Sequence, residues 1–339
     1  MLYFHDCYII TSHLKKDESK MTVLDEFFAG QKLALSKIIS HIENDGPQLR
    51  ELLPILYDKA GRAYKVGLTG PPGAGKSTLV DKLAELYAEG NHQVGIIAVD
   101  PSSPFTGGAL LGDRIRMQNL AAYPNIFIRS MATRGSTGGL AASTGEVAMA
   151  MDAFGKETIL IETVGVGQVE LDIADSCDTT VVVLVPESGD SIQALKAGLM
   201  EIADIFVINK ADRPGASKMA SELSIILDFK KQKTGWEYPV VKTEAVNEIG
   251  IDELKDKIAA HREFLSADSR NEYHRRRKIK TELSHILDKR LKAHIAEHIL
   301  TEDVFNKYIE QIRAGELNPY DAVDRIITTL MRDIANGRF

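Results

Sequence analysis

The nine residues from Gly70 to Thr78, Gly-Pro-Pro-Gly-Ala-Gly-Lys-Ser-Thr, have the types and spacing of a phosphate-binding loop. Gly70, Gly73 and Gly75, with Pro71, Pro72 and Ala74 between them, let the backbone wrap a polyphosphate with its N–H groups pointing inward. A strand-type run, Lys-Val-Gly-Leu-Thr-Gly from Lys65, precedes the loop and a helical pattern follows it. A helix N-terminus therefore adds partial positive charge where phosphates would lie. In that setting Lys76 reaches the β- and γ-phosphates, the Ser77 hydroxyl sits on Mg2+, and Thr78 completes the motif.

A second group of residues concerns the base. Asn209-Lys210-Ala211-Asp212 closes an apolar run that begins at Ile205. In this pattern the Asp212 carboxylate accepts hydrogen bonds from guanine N1 and N2, which adenine cannot donate, while the aliphatic stem of Lys210 lies on the ring face. Together with the phosphate loop this selects GTP over ATP. The later segment Thr243-Glu244-Ala245-Val246 stands where P-loop GTPases carry a Ser-Ala pair whose backbone N–H meets guanine O6. Glu244 departs from that pair, but a backbone donor does not depend on the side chain.

A third group concerns the metal and the reaction. Glu162-Thr163-Val164-Gly165 ends another strand-type run; its carboxylate is placed to hold a Mg2+-bound water and its glycine N–H to meet a γ-phosphate. Asp100, closing the run from Gln93, and Asp113, in a Gly-rich loop, are further candidate carboxylates for the metal. Phosphoryl transfer also needs an aligned water and cationic stabilisation. Gln168 is the candidate for the first, and Arg116, Arg134 or Lys196 for the second.

These groups need a scaffold that brings strand ends together. Strand candidates begin at Val66, Gln93, Ile126, Thr158, Thr179, Ile205 and Tyr238, alternating with amphipathic helices. Several are apolar almost throughout, as strands covered on both faces must be. The expected fold is α/β: a doubly wound, mostly parallel sheet of the P-loop type, with ligands at the carboxyl ends of its strands. Ahead of it, residues 1–20 read as a disordered leader. Residues 21–62 read as an N-terminal helical extension, with apolar residues at helical spacing from Met21 to about Asn44 and a short helix from Leu49 to about Ala60. The GTPase domain is expected over 63–262, and a helical region over 263–339, with a break near Ser266-Ala267-Asp268-Ser269.

Composition narrows the class. The formal net charge of -7 supplies no basic excess for a nucleic-acid face, and the run Arg275, Arg276, Arg277, Lys278 reads as a solvated helix surface. Two cysteines, Cys7 and Cys177, make neither a disulfide scaffold nor a zinc site, which fits a reducing cytoplasm. No apolar run is long enough to span a bilayer, so neither membrane nor nucleic acid is an expected partner.

Taken in order, GPPGAGKST, AVDPSSPFTGGALLGDRIRM, RSMATRGSTGGLA, ETVGVGQVE, PESGDSIQALKAG and NKAD closely resemble the MeaB/ArgK/MMAA family of P-loop GTPases, of the SIMIBI class. The resemblance runs from about Met21 to the C-terminus, and RSMATRGSTGGLA is its most diagnostic segment because general P-loop chemistry does not demand it. It implies a homodimeric, Mg2+-dependent GTPase, with the helical C-terminal region as the dimerisation arm. It also implies a chaperone role toward an adenosylcobalamin-dependent acyl-CoA mutase, typically methylmalonyl-CoA mutase. Cobalamin would be met only through that partner. The segment from Pro186 to Lys196 is implied to be a further nucleotide-sensing loop, with Asp190 and Lys196 as its charged residues. Two rival readings remain: a kinase of the older ArgK type, against which NKAD and the ExxG loop argue, and a metal-delivery GTPase as in nickel-enzyme maturation, whose His- or Cys-rich runs are missing here. Direct cobalamin binding would call for a DxHxxG motif, which the sequence lacks.

Overall fold

The computed structural model describes residues 22–44, 46, 48–100, 119–132, 143–163, 176–186, 198–267 and 270–337. All seven strand-type runs form strands: β1 Tyr64–Thr69, β2 Val94–Asp100, β3 Ile126–Ala132, β4 Thr158–Glu162, β5 Thr179–Leu184, β6 Ile205–Asn209 and β7 Val240–Thr243. They make one sheet in the order β3-β2-β4-β1-β5-β6-β7, and every pairing is parallel. Because β1 has β4 on one side and β5 on the other, the winding reverses about it. The crevice beyond the carboxyl end of β1 is thus the place where such a sheet receives a ligand.

The sheet is buried on both faces, which is why its strands read as nearly continuous apolar runs. On one face Leu68, Ile96, Leu160, Val181 and Val207 pack with Leu79, Val80 and Leu83 of α4 (Lys76–Glu89) and with Leu254 and Ile258 of a later helix, α7 (Ile251–Ser266). On the other, Ile97, Val99, Ile159 and Ile161 meet Val147 and Met151 of α5 (Thr144–Ala153) and the N-terminal helices. Farther along that sheet, Val182, Leu184 and Phe206 pack with Leu223 and Leu227 of α6 (Ala216–Thr234).

The N-terminal amphipathic run is not one helix. It divides into α1 (Val23–Phe28) and α2 (Lys32–Glu43), because Gly30 turns the chain at φ +83°. Thr22 and Asp25 form a reciprocal capping box that starts α1. A 12-residue helix such as α2 is marginal by itself in water. It is held by docking: Leu35, Ile38, Ile39 and Ile42 are fully or almost fully buried, each worth about 1.5–3 kcal/mol. Arg129 of β3 pairs with Glu43 at its far end. After α3 (Leu49–Tyr57), the buried Asp152 carboxylate accepts the N–H groups of Gly61, Arg62 and Ala63 and so fixes the approach to β1.

The described chain divides into two compact units, residues up to Ser266 and Ala267–Phe339. The second unit is helical: α8 (Arg270–His294) runs into a π-helical turn (Ile295–Ile299), followed by α9 (Glu302–Arg313) and α10 (Pro319–Ala335). Asn318 caps α10 through the Asp321 N–H, and Pro319 stands at its first turn. The buried His294 ring lies 3.5 Å from the Asp333 carboxylate, tying α8 to α10. Among the described residues no helix is long and apolar enough to cross a membrane.

At the amino ends of the strands, away from the phosphate loop, Lys156 is buried and donates to Gln93 Oε1 at 3.0 Å and to the Asn125 carbonyl at 2.9 Å. Burial, and secondarily the Lys32 ammonium, pushes its pKa down from 10.5 to about 8. Between those two values the unfolded chain holds a proton that the folded chain has shed, so stability rises with pH. The gain is lost as pH falls through about 8, where the folded chain must bury a charge. The thermal midpoint is therefore expected to climb from pH 8 towards pH 10 by on the order of several degrees, and Lys156→Met to flatten that climb. Parallel melting curves of the two proteins against pH would overturn this account.

Candidate active site

The phosphate loop leaves β1 at Thr69 and enters α4 at Lys76. Gly70 has φ +139°, and a Cβ there would lie 2.1 Å from the Val183 carbonyl oxygen of the neighbouring strand. Gly75, at φ +88°, is the N-cap of α4, and a Cβ there would strike Asn209 Nδ2 at 2.3 Å. Two of the motif's glycines are thus demanded by close approach as well as by backbone conformation. Gly73, at φ +74°, faces open space and needs only the conformation. The Lys76 side chain is buried and its ammonium spans the loop, donating to the carbonyls of Gly70 at 2.8 Å and Pro71 at 3.1 Å.

Ser77 Oγ donates to Glu162 Oε1 at 2.6 Å. The sheet produces this contact: Glu162 pairs in register with Leu68 of β1, two residues before the loop begins. Beyond Glu162 the pairing continues, with Thr163 N–H donating to the Leu68 carbonyl at 3.2 Å and the Thr163 and Thr69 hydroxyls 3.1 Å apart. Glu162 and Thr163 are therefore clamped to the strand that carries the phosphate loop. Adjacent ligands of a Mg2+ octahedron with bonds of 2.0–2.1 Å stand about 2.9 Å apart. The 2.6 Å contact is a hydrogen bond, and it leaves room in this geometry for Ser77 Oγ as a direct ligand with Glu162 reaching the ion through a bound water. Among the described residues no group of three or more His, Cys, Asp and Glu could hold a metal.

Asn209 occupies the centre of the base side. Its Nδ2 donates to the Ala74 carbonyl in the phosphate loop at 2.8 Å. Its Oδ1 accepts the Thr243 hydroxyl at 3.0 Å and the Ala245 N–H at 3.1 Å. Lys210, at φ +56°, sends its ammonium to the Gly73 carbonyl at 2.8 Å, so its stem stretches from the base motif to the phosphate loop. Asp212 is exposed beyond it. The Ala245 N–H is taken by Asn209, and the next residue, Val246, is 82% exposed. Glu244 carries no cap but closes the segment, exchanging backbone hydrogen bonds with Ile249 at 3.0 and 3.3 Å.

The structure thus brings together Gly70 to Thr78, Glu162, Asn209, Lys210, Asp212 and the segment 244–246. Asp100 is the last residue of β2, and its side chain lies outside the described part. Asp113, Arg116, Arg134, Gln168, Asp190 and Lys196 lie outside the described residues. Motif reading passed over Thr163 and Thr243, whose hydroxyls join strand ends. It also passed over Lys82, which bridges Glu85 at 2.8 Å and Glu248 at 2.7 Å. The charges of Lys82 and Glu85 stand three apart on one helix and could be paired from sequence, whereas Glu248 could not.

Comparison with known proteins agrees with this geometry. Residues 35–299 match the family model described as methylmalonyl-CoA mutase-associated GTPase MeaB. The chain belongs to the MeaB family of GTPases. A Pyrococcus abyssi protein named as a GTPase is 47% identical over 312 residues, covering 91% of this chain and 96% of its own. The mouse mitochondrial homologue of methylmalonic aciduria type A is 31% identical over 316 residues, covering 88% of this chain and 76% of its own. Among solved structures, one titled as an LAO/AO transport system kinase superposes with a TM-score of 0.67 at 23% identity, over 91% of this chain and 96% of that one, and shares the fold. As a MeaB-family GTPase the chain hydrolyses GTP.

The two kinds of glycine give different expected losses. Gly73→Ala should lower the unfolding free energy by about 1–2 kcal/mol through left-handed backbone strain alone. Gly70→Ala should cost clearly more, since the strand carbonyl of Val183 cannot yield. Urea unfolding of both variants measures this, and equal losses would remove the argument from close approach.

Proposed function

We propose that this GTPase is a Mg2+-dependent chaperone of an adenosylcobalamin-dependent acyl-CoA mutase, most closely fitting methylmalonyl-CoA mutase, acting in the cytoplasm as a homodimer. The observation that carries the proposal is the match of residues 35–299 to the mutase-associated GTPases. In this reading GTP lies across the carboxyl end of the sheet. The loop amides from Gly70 to Thr78 and the Lys76 ammonium hold its phosphates, with Lys210 and Asp212 on its base and the segment Glu244-Ala245-Val246 beside O6. Mg2+, held by Ser77 and through water by Glu162, with Asp100 and Asp113 as further carboxylates, would neutralise charge on the β- and γ-oxygens.

The Lys76 ammonium donates to the loop carbonyls of Gly70 and Pro71, and phosphate oxygens would be stronger, charge-assisted acceptors for it. Gln168 orients the attacking water, and Asp190 and Lys196 supply the charged pair of the third sensing loop. Glu162, bonded to Ser77, is the residue through which the ExxG segment registers the γ-phosphate, since it joins that segment to the phosphate loop. Cobalamin is contacted by the mutase and not by this chain. Support for the dimer comes from α10, on which Tyr320, Val323, Ile327, Met331 and Ile334 recur at helical spacing and are exposed by 43–84%.

Two experiments test the reading. The chain mixed with the mutase from the same organism is expected to co-elute with it in a nucleotide-dependent way and to release phosphate from GTP faster than alone. Absence of both binding and acceleration would sink the chaperone role. For the base, Asp212→Asn replaces an acceptor by a donor, so GTP affinity should fall by at least tenfold while xanthosine triphosphate, with oxygen at C2, gains. Unchanged selectivity between the two nucleotides would place base recognition elsewhere.

A further inference from the structure

The turn between β7 and α7 follows directly on the base-side segment and is tightly determined. Glu244 and Ile249 close it by two backbone hydrogen bonds, and Gly250, at φ +78°, brings its Cα so near β7 that a Cβ would lie 2.2 Å from the Lys242 carbonyl oxygen. Within it Glu248 adopts φ +61° and ψ 15°, a left-handed conformation. For a glutamate this costs about 1–2 kcal/mol that glycine would be spared. The glutamate's side chain leaves the turn and meets Lys82 Nζ at 2.7 Å. Lys82 belongs to α4, six residues beyond Lys76 and so roughly 9 Å along the helix. A second tie runs the same way: the Lys255 ammonium of α7 stands 5.5 Å from the ring centre of Tyr87 on α4.

Asn209 already joins the phosphate loop to the base-side segment at Ala245. That bond and the buried Ala245 and Ile251 hold the two ends of the turn, and the Lys82–Glu248 pair adds a direct tie from its exposed tip to α4. We propose that Lys82 and Glu248 form a positioning clamp that holds the base-side turn 244–249 against the phosphate-side helix α4 and thereby slows nucleotide release. The inference rests on the guanine-nucleotide site and not on the mutase partner. The two residues touch neither phosphate nor base; they act through the segments that do. Glu85, which Lys82 also contacts at 2.8 Å, lies on α4 itself and cannot link the two sides.

The ion pair is partly exposed, with side-chain exposures of 25% for Lys82 and 66% for Glu248. Such pairs are sensitive to salt, with a screening length of about 10 Å at 0.1 M and about 3 Å at 1 M. The test is the release rate of fluorescently labelled GDP from the full chain, chased with excess unlabelled GDP, at low salt and at about 1 M salt. Lys82→Met and Glu248→Gln are expected to release GDP about twofold to fivefold faster than the unaltered chain at low salt, as loss of an exposed pair allows. The difference should vanish at high salt. Lys82→Arg should restore slow release, and Glu85→Gln should leave it unchanged. Glu248→Gly separates the clamp from fold stability: its thermal midpoint should hold or rise as the strain is relieved, yet GDP should leave faster. Wild-type release rates in Glu248→Gln at low salt, or equal acceleration by Glu85→Gln, would overturn the clamp. An unaltered chain that binds no GDP would overturn the nucleotide site itself.

Discussion

One carboxamide holds the nucleotide site together. Asn209 bonds at once to the phosphate loop, through the Ala74 carbonyl, and to the end of β7, through the Thr243 hydroxyl and the Ala245 amide. It is 2% exposed, so these bonds form away from competing water, where an unmade hydrogen bond would cost about 1–3 kcal/mol. A residue of different length or polarity could not serve three partners of both donor and acceptor kind. Gly75 is constrained by the same group, since a side chain there would occupy the position of Asn209 Nδ2. The two motifs, separated by well over a hundred residues, thus depend on each other sterically as well as chemically.

The metal side follows from the order of the strands. Parallel pairing of β1 with β4 sets Glu162 beside Leu68, and the next residues of β1 lead into the phosphate loop. Ser77, in the first turn of α4, then falls within hydrogen-bonding distance of the carboxylate. Pairing continued by Thr163 stiffens the strand end from which the ExxG segment departs. An ordered strand end of this kind shifts with the strand it is paired to and does not bend smoothly.

Much of this was legible beforehand, for physical reasons that differ between elements. The seven strands stood out because a sheet covered on both faces tolerates few polar residues, as in TILIE and TTVVVL. The phosphate loop and NKAD stood out because their chemistry requires given residue types at given spacing. The division of the N-terminal run into α1 and α2 was harder to read, since its apolar spacing continues across Gly30 while the left-handed turn there ends the first helix. The helical boundary near Ser266 was clearer, marked by a polar cluster.

Local order and motif, then, belong to the sequence: glycine where the backbone must turn, and the lysine, serine and carboxylate types that the P-loop and NKxD patterns carry at fixed spacing. Each of these depends on neighbours a few residues away. The pairings across the site were decided by the tertiary structure, because they join residues whose separation in the chain carries no period or motif. Asn209 against Ala74, Ser77 against Glu162 and Lys82 against Glu248 are 135, 85 and 166 residues apart. Only the strand order, set by burial of both faces of the sheet, brings them within reach.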